Sequence, residues 1–153
     1  MPTDLRIRPF TPADQRAVRT LILAGLGERF GFVDETLNPD LDDIAAHYLA
    51  QGHAFLVAEQ AGEIVATGGL IFESDGGVCQ LVRISVRREL RRQGAARAIV
   101  AALLALARER GRQRVWVETH EPWQDAIALY ERMGFSVYDR RDGLVFLALQ
   151  LDE

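Results

Sequence analysis

A chain of 153 residues, 48% hydrophobic and 26% charged, has the size and make-up of one globular domain, residues 1–153, able to bury a core without staples. Its net charge of −4 argues against the basic excess of a nucleic-acid binder. One cysteine, Cys79, excludes a disulfide framework and fits a reducing cytoplasm, and no apolar run is long enough to span a bilayer.

The start, "MPTDLRIRPF", does not read as a secretion signal. Leu5 and Ile7 alternate with Arg6 and Arg8, as in a half-buried first strand. Thr11-Pro12 opens a helix whose apolar period runs through Val18, Leu21 and Ile22, and Gly25 and Gly27 are expected to end it. Residues 26–38 then form a loop, and Asn38-Pro39 opens a second helix that runs to about Ala50 and stops at Gly52. Three strands follow, Ala54–Gln60, Glu63–Phe72 and Val78–Val86, the first two joined by an Ala61-Gly62 hairpin turn.

The stretch "RRQGAARAIV" opens the next helix, which takes in the alanine-rich apolar run Ala98–Ala107, reaches Arg110 and is closed by Gly111. "RVWVET", Arg114 to Thr119, is a strand. "QDAIALYERM" is an amphipathic helix closed by Gly134. "FSVYD" and "LVFLALQ" are two last strands around an Asp142-Gly143 turn. The order is β-α-α-β-β-β-α-β-α-β-β. A helix joins strand 78–86 to strand 114–119, and right-handed crossovers make such strands parallel. The fold class expected is therefore α/β (α+β), a mixed sheet with helices on its faces and not a doubly wound nucleotide fold.

Charge is segregated. Arg83, Arg87, Arg88, Arg91, Arg92 and Arg97 fall between positions 83 and 97; Asp34, Glu35, Asp40, Asp42 and Asp43 fall between 34 and 43. Two solvated faces or two sites of opposite sign both fit this division. The turn at Arg91–Ala96 has the chemistry of an anion cradle. A helix start leaves four amide N–H groups unpaired and partly positive. Gly94 lets backbone approach a ligand, Ala95 and Ala96 keep side chains away, and Arg91 and Arg92 add full charge. It is neither a P-loop nor a dinucleotide fingerprint. Alone, it fits a capped helix after a basic loop equally well.

Its neighbours decide. Arg91-x-x-Gly94-x-Ala96 matches the Q/R-x-x-G-x-G/A motif, "LVRISV" before it resembles a bulged strand at the right spacing, and "AIALYERMGF" matches A-x-x-L-Y-x-x-x-G-F. In these motifs, and in element order over the full chain, the sequence resembles the GNAT superfamily of acyl-CoA-dependent N-acetyltransferases. The resemblance implies a mostly antiparallel sheet with a central, splayed parallel strand pair, and acetyl-CoA as co-substrate. It implies that backbone amides of Arg91, Arg92, Gln93, Gly94, Ala95 and Ala96 hold the coenzyme's pyrophosphate. Ile84, Ser85 and Val86 would present backbone groups to the pantetheine arm, Ala126 would let the arm approach, and Tyr130 would protonate the departing thiolate.

Two positions depart from the family pattern. Trp123 stands where many members carry asparagine, so instead of donating an amide it would either pack against the arm or simply cover the helix start. The strand before the turn offers Gln80, Leu81 and Val82 where many members have a glutamate. Glu118 and His120, at the end of the second splayed strand, are the remaining candidates for a base. The resemblance places acceptor contacts in residues 26–38 and in the last hairpin turn, Arg140–Gly143. Phe30, Phe32, Val33 and Asp34, with Glu35, would line a pocket for an amine with apolar character, a small molecule or a peptide. Many relatives are dimers, which admits a homodimer here. The three histidines show no metal-ligand spacing, and Cys79 reads as a strand residue, not a nucleophile. The rival readings are a non-catalytic acyl-CoA sensor or interaction module, and a phosphate-ester site unrelated to coenzyme A that leaves "AIALYERMGF" unexplained.

Overall fold

The computed structural model describes residues 5–30, 38–74 and 76–151. Its centre is a seven-stranded sheet in the order β1-β2-β3-β4-β5-β7-β6. In chain order the strands are β1 (Arg6–Pro9), β2 (Ala54–Gln60), β3 (Glu63–Phe72), β4 (Val78–Val86), β5 (Arg114–His120), β6 (Ser136–Arg141) and β7 (Leu144–Gln150). The helices are α1 (Gln15–Phe30), α2 (Ile44–His47), α3 (Ala95–Glu109) and α4 (Gln124–Arg132). Every neighbouring pair is antiparallel except β4 and β5, which are parallel, as the crossover through α3 requires.

Two of the hairpins, β2–β3 and β6–β7, turn where the sequence places them. Ala61 and Gly62, and Asp142 and Gly143, all have positive φ, the pairing a two-residue turn needs to match strand twist. On one face of the sheet α3 buries Ile99, Val100, Leu103, Leu104 and Ala107, spaced to form one stripe, with Ile127 and Tyr130 of α4 beside it. Each large aliphatic side chain so buried contributes about 1.5–3 kcal/mol. On the other face Val18, Ile22 and Leu23 of α1 pack with Leu41, Ile44 and Tyr48 over Phe10, Phe55 and Val57. Among the described residues no helix is long and apolar enough to cross a membrane.

Two elements differ from expectation. The first helix does not stop at Gly25 or Gly27 but runs on to Phe30. Gly25 serves packing: a Cβ there would lie 3.1 Å from Ser85 Oγ, so the missing side chain lets α1 lie close over β4. The expected continuous helix over 39–50 is instead a 3-10 turn at Pro39–Asp42, the single turn of α2 and a second 3-10 turn at Leu49–Gln51. Its opening cap fails because the Asn38 side chain is engaged elsewhere, accepting a hydrogen bond from Arg83 Nη2 at 3.1 Å. Asp43 starts the helix proper, its carboxylate accepting from the Ala46 N–H at 3.1 Å.

Candidate functional site

β4 and β5 pair only through Val78–Leu81 and Arg114–Val117. Beyond that point β4 continues beside β3 as far as Val86, and β5 beside β7 as far as His120, so the two strands lean apart. A bulge sharpens the divergence. On β3, Thr67 faces Ser85 while Gly69 faces Val82, which puts an extra residue on β4 at Arg83 and Ile84, with Arg83 at φ +55°. Gly68 opposite has no room for a side chain: a Cβ would lie 2.5 Å from Ile99 Cγ2 and 2.7 Å from Ile84 Cδ1.

The open edge can be read from the ladder. The Arg87 N–H donates to the Val65 carbonyl at 2.8 Å. Two-residue alternation then turns the Ser85 backbone groups toward β3 and those of Ile84 and Val86 toward the gap. Of the three strand residues expected to meet the coenzyme, Ile84 and Val86 therefore offer backbone groups. Ser85 lines the cleft as well, with its backbone groups paired to β3 and its hydroxyl under α1 at Gly25.

The gap opens into a cleft of about 1260 Å³. One end is the turn before α3. Gly94 caps the helix at φ +89° with open space where a Cβ would be, and the first helical bond is Ala98 N–H to the Gly94 carbonyl at 3.0 Å. The amides of Ala95, Ala96 and Arg97 precede that bond and have no helical acceptor. Arg91, Arg92, Gly94, Ala95 and Ala96 all line the cleft. Gln93 is not among the lining residues, and its side chain folds back to the Glu89 carbonyl at 3.2 Å.

The opposite wall is α4. Ala126 and Tyr130 line it one turn apart. Tyr130 is 5% exposed, packs against Phe135 at 5.6 Å between ring centres, and its hydroxyl has no hydrogen-bond partner among the described residues. Burial pushes its pKa above the ordinary tyrosine value, so the phenol holds its proton at neutral pH. Burial likewise pushes the Cys79 thiol up to about 11, which leaves it a packed side chain and not a nucleophile.

Three residues expected in separate roles come together at the mouth. The His120 and Trp123 rings lie 4.3 Å apart, and Phe30, at the end of α1, meets them at 5.2 Å and 5.3 Å. Trp123 thus packs toward α1, with the Arg29 guanidinium 4.6 Å over its ring. Glu118 is exposed in the cleft, with no hydrogen bond or ion pair among the described residues. Phe30 is 45% exposed. Phe32, Val33 and Asp34, with Glu35, lie outside the described residues.

Sequence reasoning did not find the ion pairs that frame this cleft. Arg29 donates twice to Asp125, at 3.0 Å and 2.9 Å, joining the end of α1 to the start of α4. Arg91 meets Glu28 at 3.0 Å, and Arg83 meets Asp40 at 2.6 Å. The partners are far apart in sequence, 96 positions for Arg29 and Asp125, so local spacing carries no signal of them. The lengthening of α1 past Gly27 is what brings Glu28 and Arg29 to the site.

Known proteins point the same way. A family model described as "Acetyltransferase (GNAT) family" matches residues 21–135. The chain is 33% identical over 131 residues to the uncharacterized N-acetyltransferase YjgM of Escherichia coli (strain K12), covering 84% of this chain and 77% of that protein. It is 38% identical over 109 residues to N-acetyltransferase 8 of Homo sapiens, covering 68% of this chain and 48% of that protein, about half its length. Among solved structures, an acetyltransferase of the GNAT family from Staphylococcus aureus Mu50 matches with a TM-score of 0.89 at 20% identity, over 97% of this chain and 100% of that one. The yncA protein of Salmonella typhimurium, solved with its cofactor acetyl-CoA, matches with a TM-score of 0.81 at 22% identity, over 99% and 96%.

Proposed function

Because the chain belongs to the acetyltransferase (GNAT) family, we propose that it moves the acetyl group of acetyl-CoA to a primary amine by direct attack in a ternary complex. The observation that carries this reading is the unpaired edge of β4 facing β5, with uncapped helical amides at one end of the gap and the Tyr130 hydroxyl in its wall. The whole of residues 1–153 acts as one domain, and the buried thiol of Cys79 suits a reducing cytoplasm.

Acetyl-CoA fits the residues present. The amides of Ala95 and Ala96, the space at Gly94 and the charges of Arg91 and Arg92 suit a pyrophosphate. Ile84 and Val86 supply strand-like donors and acceptors to an amide-bearing arm, and one N–H of this edge steadies the oxygen of the reacting carbonyl. Ala126 leaves room along α4. The structural neighbour yncA, solved with acetyl-CoA, supports this assignment.

In the reaction the amine nitrogen attacks the thioester carbonyl, a C–N bond forms and the C–S bond breaks. Tyr130 gives its proton to the leaving sulfur, and the proton lost from nitrogen restores the phenol through water. Glu118 draws the cationic amine to the cleft and, with His120, takes the first proton, the one an ammonium must lose before its nitrogen can attack. Phe30 forms the apolar part of the acceptor wall, and Phe32, Val33 and Asp34 are assigned to acceptor binding from the sequence alone. Trp123 serves by packing, since it meets Phe30 and His120.

The test is thiol release from acetyl-CoA with phenethylamine, spermidine, lysine and an alanine-initiated peptide. Release above background with at least one amine, together with its acetylated product, is expected. Tight coenzyme A binding with no release for any amine would favour a binding module.

A further inference from the structure

Arg83 is an odd residue for its place. It occupies the bulge of β4 at φ +55°, a conformation glycine adopts freely and arginine does not. Its carbonyl accepts from Thr67 Oγ1 at 2.8 Å. Its guanidinium grips Asp40 with two bonds, Nε to Oδ2 at 2.9 Å and Nη2 to Oδ1 at 2.6 Å, and Nη2 also reaches Asn38 Oδ1 at 3.1 Å. The Tyr48 hydroxyl donates to Asp40 Oδ2 at 2.6 Å.

These bonds run from the point where β4 leaves β5 to the segment 38–48, which packs over the same face of the sheet as α1. Both Arg83 and Asn38 line the cleft. A half-buried ion pair gains little net stability over an apolar pair of the same shape, because desolvation offsets the attraction. What a two-pronged guanidinium–carboxylate contact does supply is fixed geometry.

We propose that Arg83 is a positioning residue: it clasps segment 38–48 to the bulged strand and so holds the acceptor-side wall of the cleft in place, touching neither acceptor nor coenzyme. The proposal rests on the transfer reading given above. It separates two duties of position 83. The backbone makes the bulge that opens the coenzyme edge, and the side chain fixes segment 38–48.

Arg83→Gly divides these duties, since glycine keeps the bulge and removes the clasp. Asp40→Asn weakens the clasp from the other side, and Arg83→Lys keeps charge without the fork. Coenzyme A affinity is measured by calorimetry, and acceptor kinetics with whichever of phenethylamine, spermidine, lysine or the alanine-initiated peptide the wild type turns over fastest. All three variants are expected to bind coenzyme A within about twofold of wild type. Arg83→Gly and Asp40→Asn should raise acceptor KM about tenfold, with kcat changed much less. Arg83→Lys should lie between, and the Arg83→Gly/Asp40→Asn pair should be no worse than either alone.

An unchanged acceptor KM in Arg83→Gly overturns the proposal. So does a parallel rise in coenzyme A Kd, which would assign the clasp to the coenzyme strand. Failure of the wild type to acetylate any of the four amines would instead overturn the transfer reading. Amide hydrogen exchange then decides the clasp: faster exchange over 38–48 in Arg83→Gly, with β3 unchanged, supports it, and unchanged exchange over 38–48 overturns it.

Discussion

The Glu28 carboxylate lies 3.0 Å from the Arg91 guanidinium, so the last turn of α1 reaches the turn that opens α3. In the proposed site Arg91 and Arg92 supply the charges for the coenzyme pyrophosphate, and Glu28 would compete with that anion for Arg91. Removing the competing charge frees Arg91. Glu28→Gln should therefore lower the coenzyme A Kd about two- to threefold at low salt, as expected for a partly exposed pair. The gain should shrink as added salt screens both variants, and calorimetry at two ionic strengths reads it.

Gly94 has φ +89° with nothing within 4 Å of a Cβ position, so conformation and not space excludes other residues. A side chain there is strained by about 1–2 kcal/mol, and Gly94→Val should lower Tm by about 2–8 °C. The same change moves the amides of the cradle, and coenzyme A Kd should rise about tenfold or more. Gly94→Asn should be milder on both counts, because asparagine enters the left-handed region more readily.

Gly68 is excluded for the opposite reason. Its Cβ would meet Ile99 Cγ2 at 2.5 Å and Leu103 Cδ1 at 2.9 Å, both on fully buried side chains, and Ile84 Cδ1 at 2.7 Å. Gly68→Ala should cost about 1–3 kcal/mol by overpacking. In the Gly68→Ala/Ile99→Ala double variant the two losses should fall short of their sum, since the second makes room for the first. Pressure on Ile84 should also weaken coenzyme A binding in Gly68→Ala, because Ile84 belongs to the open edge.

Much of this architecture is legible in the sequence because it is local. The Arg91–Ala96 turn, the α3 stripe from Ile99 to Ala107 and the Asp142-Gly143 hairpin each lie within a short window where backbone chemistry and period act directly. The residues that frame the cleft are not of that kind. Arg83 finds Asp40 across 43 positions, and Arg29 finds Asp125 across 96. Gly25 shows the second limit: a glycine that reads as a helix stop is a close contact with Ser85, and only the partner tells the two apart. Asn38 shows a third, a cap residue captured by a tertiary partner, Arg83.

Asp14 is buried, and its carboxylate is held below the usual range by two bonds from Arg8, at 2.7 Å and 2.9 Å, and by the Thr11 N–H at 2.8 Å; burial alone would raise it. A depressed folded-state pKa means that the unfolded chain binds the proton first. This stability is fully present above the unfolded value of 3.8 and is lost as pH falls through the lower folded value. Urea midpoints should thus fall steeply on acidification below about pH 4. Asp14→Asn should be less stable at neutral pH and show a shallower acid slope, and an equal slope would remove Asp14 from the linkage.

The central claim, that the cleft performs thioester aminolysis with Tyr130 as the proton donor, is tested by comparing Tyr130→Phe with wild type in two numbers. One is coenzyme A Kd; the other is kcat with the amine turned over fastest. The ring and its contact with Phe135 survive the change, so Kd should stay within about twofold, while loss of the acid should lower kcat about 10²–10⁴-fold. Turnover equal to wild type, with Kd unchanged, would contradict the mechanism at its proton-transfer step.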